Sequence, residues 1–537
     1  MNSSAAATAP MSRSLTAVRH GQGPRGESAG GLVGRFTSWA GAADAGETQW
    51  AAHPSPTAKV AGWSLVALLM AGGFVARANL GLDTESAWLL TMANAAALGL
   101  AIGGLRRARL APVMHTGILA VFLLGGIFQL YLFSYNLFRH PTFITDQAPF
   151  HGFVTASDVA NTYGLITLVF VIFCLMVAVL AGIPVATRSP RVSGLADFGQ
   201  INAVLVAATI GFILVVAVQR AFGIGQAGLY NPSLPFHLVA VTLFYQRWIY
   251  PALLLLGIWV YDGRKPKLGY LCLLGTAIVA AIQSYGATSR GAIFSLGAPV
   301  VFVWLFTGRF TKFRKLLLIG GFGIYLIVAP VLSALRVNRI LAASGTAPGA
   351  ERSAQPLSAA SLNYELGHVV FRVGGAGSML FAIRNEDDLS LAGLERVYRP
   401  SGLTRYFTDQ VVGVPVSSTA ANSEAPTVIG LGTLIGGAQG AVLVLVLTVL
   451  GLELAWRWIA KKLQSWPVAL AILGYAALTF FSEGVPIEFY KSFLAIAVVE
   501  VLYRRVARQQ PPALDRRPDT ELPVCSEAQL PASRESR

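Results

Sequence analysis

Charge is scarce in this chain. Only 12% of its 537 residues are Asp, Glu, Lys or Arg, while 54% are apolar; a soluble domain carries roughly 25% charged residues. That gap excludes an ordinary soluble enzyme. Cysteine is scarcer still, and Cys174, Cys272 and Cys525 are too few for a disulfide framework and fit no zinc spacing. His140, His151 and His237 are scattered, so neither a metal nor a cofactor is expected. No G-x-x-x-x-G-K-[ST] loop occurs, which argues against a nucleotide-driven pump. A repeat of solenoid period is also missing. Lysine is rare, 8 residues against 33 arginines.

What the chain has in abundance is apolar runs. A bilayer core of about 30 Å needs about 20 apolar residues per helix. Twelve runs approach that length: 60–76, 87–105, 112–133, 163–185, 201–218, 238–261, 268–284, 292–306, 316–335, 434–455, 467–481 and 487–503. The short seventh and eighth either cross singly or form one re-entrant unit, so the range is ten to twelve. The expected fold is an all-α polytopic integral membrane protein. Residues 1–58 and 509–537 are polar, with Pro511, Pro512, Pro518 and Pro523 in the second, and both read as disordered tails. No cleavable signal peptide is evident before the first run, which itself would serve as the targeting signal.

The formal net charge of +15 acts as an orientation signal. Alternate connections contain Arg106, Arg107 and Arg109; Arg188 and Arg191; Arg264, Lys265 and Lys267; Arg309, Lys312, Arg314 and Lys315; Arg457, Lys461 and Lys462; and Arg504, Arg505 and Arg508. Cytoplasmic loops are enriched in Lys and Arg. Both tails are therefore expected inside, and no nucleic-acid partner is needed to explain the charge. The organisation predicted is a tail (1–58), nine spans (59–335), one large outer loop (336–433), three spans (434–508) and a second tail (509–537).

Long loops without a span of their own are usually functional. Within 336–433, Leu362, Leu366, Val369, Val370, Val373, Leu380 and Ile383 recur at helical spacing, which predicts an amphipathic helix over 361–384. Glu365, His368 and Arg372 share its other face. An acid, an imidazole and a guanidinium on one stripe can hold and deprotonate a hydroxyl beside a phosphate; a solvated helix face carrying a local ion pair fits the same pattern. Arg290 lies in Tyr285-Gly286-Ala287-Thr288-Ser289-Arg290-Gly291, between two short runs, and Arg336 and Arg339 lie at the outer end of the ninth. Ionisable groups at membrane depth are functional candidates, although Arg290 also fits an interfacial anchor reaching lipid phosphates. Asp83 and Glu85, and the run Asn385 to Asp388, read as a cap and a turn. Gly432, Gly436 and Gly440 form a double small-xxx-small pattern that predicts close helix packing.

Taken together, the twelve runs, Thr288-Ser289-Arg290-Gly291, the large outer loop late in the chain, and Ala425-Pro426-Thr427-x-Ile429-Gly430 with the glycines after it resemble the bacterial O-antigen and exopolysaccharide polymerases (Wzy type), over about residues 60–508. The resemblance implies a bacterial inner-membrane enzyme whose donor is a polyprenyl-diphosphate-linked oligosaccharide. It further implies that Arg290, with Arg336, Arg339 and Arg372, holds the diphosphate. His368 or Glu365 would take the acceptor proton, in a metal-independent inverting glycosyl transfer. A chain-length regulator and a flippase of the same pathway would be partners. The related ligases place a histidine just before the span that follows the loop, where this chain has Asn422, Ser423 and Glu424; that departure favours polymerase over ligase. A secondary transporter shares the architecture, and a scaffold for polysaccharide export without chemistry of its own is a third alternative.

Overall fold

The computed structural model describes residues 156–180, 199–225, 234–262, 265–287, 291–307, 312–343, 427–484 and 487–508, together with scattered helical residues between 85 and 99 and Ala382. Everything regular among them is helical. In chain order the helices are α1 (Ala156–Leu180), α2 (Gly199–Phe222), α3 (Leu238–Phe244), α4 (Tyr250–Tyr261), α5 (Pro266–Ala287), α6 (Gly291–Phe306), α7 (Lys312–Ala343), α8 (Thr427–Lys462), α9 (Trp466–Glu483) and α10 (Ile487–Arg508). Four stretches are long and apolar enough to cross a membrane: Gly199–Phe222, Pro235–Tyr261, Pro266–Gly286 and Thr427–Lys462.

Every residue of α4 is buried, and α2, α5, α6, α9 and α10 pack around it. Apolar side chains also face outward. Ile210, Ile213 and Leu214 of α2, Leu271, Leu274 and Ile278 of α5, and Leu443, Leu447 and Leu454 of α8 are exposed. A soluble monomer rarely carries such contiguous apolar surface; for a membrane protein it is the lipid-facing wall.

Side-chain contacts give the helices a common polarity. At one end the Tyr261 hydroxyl donates to Asn202 of α2, Arg314 pairs with Asp262 at 2.5 Å and lies 5.1 Å over Trp304. Phe306 meets Trp456 and Trp259 meets Tyr503. This end therefore gathers the starts of α2, α5, α7 and α9 and the finishes of α4, α6, α8 and α10. It is also where the basic groups 265–267, 312–315, 457–462 and 504–505 fall. At the opposite end the finishes of α2 and α5 meet, as do the finish of α9 and the start of α8. α5 and α6 thus run in opposite directions beside each other.

Two helices are interrupted, each for a local reason. Pro251 lacks an N–H, and its ring would collide with the carbonyl four residues earlier. The chain widens ahead of it into a π-turn, Tyr245–Ile249, closed by the Tyr250 N–H donating to the Tyr245 carbonyl. In α8 the break falls at Gly436 and Gly437, where Gly437 has φ 57°, a conformation that a side chain disfavours.

The consequence in α8 corrects the simplest picture of its glycines. As one straight helix, its 36 residues would run about 54 Å, well beyond a bilayer core. Instead, a Cβ placed on Gly432 would lie 2.5 Å from the Ala441 Cα, and one on Gly440 would overlap the Gly432 carbonyl. Residues nine apart are neighbours, so 427–435 folds back along the start of 438–462. The small-xxx-small pattern does serve close packing, but of one segment against its own continuation. Residues 427–434 are all buried in consequence. They are helical although they precede the run at 434, and α7 likewise continues past 335 to Ala343, because no Gly or Pro interrupts it there.

Candidate functional site

Arg336 and Arg339 fall in the last part of α7, whose backbone is described there and whose side chains are not. Arg290 lies in the three-residue link 288–290 between α5 and α6, outside the described residues, as do Glu365, His368 and Arg372. Of the predicted amphipathic helix 361–384 only Ala382 is described; it is helical and buried.

What the structure does position is the end of the bundle from which the Arg290 link departs. The last turn of α5 carries Gln283, Ser284, Tyr285 and Gly286, and the last turn of α2 carries Gln219 and Arg220. The Arg220 guanidinium lies 5.4 Å from the Tyr285 ring centre, a cation–π contact of the common exposed kind. Gly286 lies next to it, where an added Cβ would be in ordinary contact with Arg220 Nη2 at 3.8 Å. Arg220 and Tyr285 are exposed, whereas Gln219 and Ser284 beside them in sequence are 7% and 3% exposed.

The polar groups behind this rim fall into two kinds. Gln283 donates through Nε2 to the Gln246 carbonyl of the π-turn at 2.8 Å, tying α5 to the interrupted span. The π-turn is held further by Tyr245, whose hydroxyl donates to the Ala208 carbonyl at 2.8 Å across Gly211, where a Cβ would sit 2.8 Å from that hydroxyl. Tyr250 joins Thr209 through their hydroxyls at 3.0 Å. By contrast Gln219 Nε2 and Ser284 Oγ are buried and have no hydrogen-bond partner. In a membrane helix a hydroxyl normally donates to its own backbone, as Thr209, Thr276, Thr307, Thr433, Thr448 and Thr479 do here. Ser284 departs from that habit, as does Thr167 in α1.

Arg220 and Tyr285 are visible in the sequence as outer-end residues, but Gln219, Gln246, Gln283 and Ser284 are easily overlooked. Their signal is polarity inside an otherwise apolar run, which is costly in lipid unless satisfied or used. Among the described residues no group of three or more His, Cys, Asp or Glu side chains is arranged to hold a metal ion. No family model, curated protein or solved structure matches the chain.

Proposed function

We propose that this chain is a polysaccharide polymerase of the inner membrane, transferring a growing glycan from polyprenyl diphosphate to the next lipid-linked repeat unit on the outer face. The observation that carries this reading is the contrast between bundle ends: Lys265, Lys267, Lys312, Lys315, Lys461, Lys462 and the paired arginines gather at one, while the other has the single Lys491, presents Arg220 and leads through 288–290 to Arg290. With the lysine-rich end in the cytoplasm, the chain crosses the membrane ten to twelve times with both tails inside. The loop 336–433, with Glu365, His368 and Arg372, then lies on the side where lipid-linked repeat units are joined.

In the reaction the acceptor hydroxyl oxygen bonds to the anomeric carbon as the bond from that carbon to the phosphate oxygen breaks. The diphosphate leaves with the electron pair, and the hydroxyl proton passes to His368 or Glu365. Arg290, with Arg336, Arg339 and Arg372, stabilises charge developing on the departing group, where fixed positive groups in a water-poor site are most effective. The donor itself carries the driving energy, so no nucleotide is required. A flippase would deliver the repeat unit, and a chain-length regulator would set when transfer stops.

The test is the size distribution of surface and lipid-linked glycans in a deletion strain and its complement. Loss of long polymer with accumulation of a single polyprenyl-diphosphate repeat unit is expected. Arg290→Lys keeps the charge but loses the planar fork, so restoring the gene with that substitution should leave polymer strongly reduced; normal polymer length would remove Arg290 from the site. A secondary transporter is the second reading. The two interrupted spans favour it, because transporters build substrate sites from discontinuous helices. Unchanged polymer with an altered uptake or efflux profile would decide for it.

A further inference from the structure

We propose that the ends of α2 and α5, bridged by the Arg220–Tyr285 contact, form an oxyanion-binding subsite with Arg220, Gln219 and Ser284 as its donors. The ligand chemistry is a phosphate; that the phosphate belongs to polyprenyl diphosphate rests on the polymerase reading, whereas the subsite itself does not.

Three observations converge on it. Two of the four buried side-chain atoms without partners among the described residues, Gln219 Nε2 and Ser284 Oγ, can donate, and each belongs to the residue immediately before one member of the Arg220–Tyr285 contact. The guanidinium adds further N–H donors and no acceptor. Contact with a ring face uses the charge of a guanidinium and leaves its N–H fork for oxygen acceptors. Secondly, the arrangement is layered: an exposed cation and ring at the rim, and buried donors on the same two helix turns. Buried donors in a membrane helix are normally paired; among the described residues four are not. While Thr167 Oγ1 and Trp456 Nε1 stand singly on α1 and α8, Gln219 Nε2 and Ser284 Oγ fall on the two helix ends bridged by the Arg220–Tyr285 contact, a pairing that indicates a group arriving from outside. Thirdly, Gly286 packs beside Arg220, where an added Cβ would be in ordinary contact with Nη2 at 3.8 Å, and α5 ends at Ala287, immediately before the 288–290 link that carries Arg290. A phosphate offers several acceptor oxygens and negative charge, matching both the donors and the guanidinium.

The experiment uses the full chain in phosphatidylcholine nanodiscs, titrated calorimetrically with farnesyl diphosphate and, separately, with inorganic pyrophosphate. Arg220→Ala is expected to weaken both about tenfold, and Ser284→Ala and Gln219→Leu each about threefold. Ser284→Ala removes one atom that makes no hydrogen bond, so its fold is retained even if Arg220→Ala proves unstable. Equal binding by the wild type and all three variants, or no binding by the wild type, overturns the subsite. If phosphatidylglycerol in the disc displaces farnesyl diphosphate from the wild type, the subsite stands with a phospholipid headgroup as its ligand. Variant-sensitive binding together with intact polymer in the deletion strain would sink the polymerase reading and leave the subsite in place.

Discussion

The two ends of the helical bundle treat their polar groups in opposite ways. At the basic end three acids are neutralised within the fold: Asp262 by Arg314 at 2.5 Å, Glu453 by Arg457 at 2.7 Å and Glu500 by Arg504 at 2.6 Å. Glu500 does more, accepting from the backbone N–H groups of Gln464 and Ser465 and from the Ser465 hydroxyl, so that one carboxylate caps the start of α9 and braces α10. At the other end Arg220 rests on a ring, and Gln219 and Ser284 keep unpaired donors. A satisfied polar network rigidifies, while unpaired buried groups are costly unless something else completes them. The comparison teaches that one end braces the bundle with carboxylate pairs, with Trp456 Nε1 alone left unpartnered there among the described residues, while the other sets two unpartnered donors beside an exposed guanidinium.

The comparison can be broken most directly at Glu500. Glu500→Ala strands two backbone donors, a hydroxyl and Arg504, and should lower stability by about 3 kcal/mol, read as a reduced midpoint in SDS-driven unfolding of the purified protein. An unchanged midpoint would mean that the basic end is not the brace. A smaller loss of about 2 kcal/mol is expected from Gly432→Ala, whose Cβ would force the two arms of α8 apart; retention of the full midpoint would show that the fold-back is dispensable. Gly211→Ala pushes on the Tyr245 hydroxyl and threatens its bond to Ala208, which should cost about 1 kcal/mol in the same assay. The smallest effect sharpens the contrast: Ser284→Ala should change stability by less than about 0.5 kcal/mol while weakening diphosphate binding. A large destabilisation there would show that the hydroxyl is structural after all.

How far the residues alone announce this molecule depends on the element. The run at 201–218 sits inside α2, and that at 238–261 inside the Pro235–Tyr261 stretch, because a long apolar segment in lipid has to satisfy its backbone internally and a helix does so from local bonds alone. The π-turn is half-legible: Pro251 announces a disturbance but not its form. The α8 fold-back is not legible, since Gly432, Gly436 and Gly440 at four-residue spacing describe one face of a straight helix as well as two arms meeting across a turn. Glu365, His368 and Arg372 share a predicted stripe on spacing alone, and their site remains a proposal built on that spacing.

By itself the sequence determined that the described part of the chain is helical, apolar and sorted by charge, because helix formation and the distribution of Lys and Arg are local properties of successive residues. Tertiary structure decided which ends meet. Only the packed bundle pairs Glu500 with Ser465, sets Gly484 with φ 69° against Thr427, and brings Arg220 over Tyr285 while leaving Gln219 and Ser284 without partners. Those outcomes depend on contacts between residues tens of positions apart, for which hydropathy and spacing carry no record.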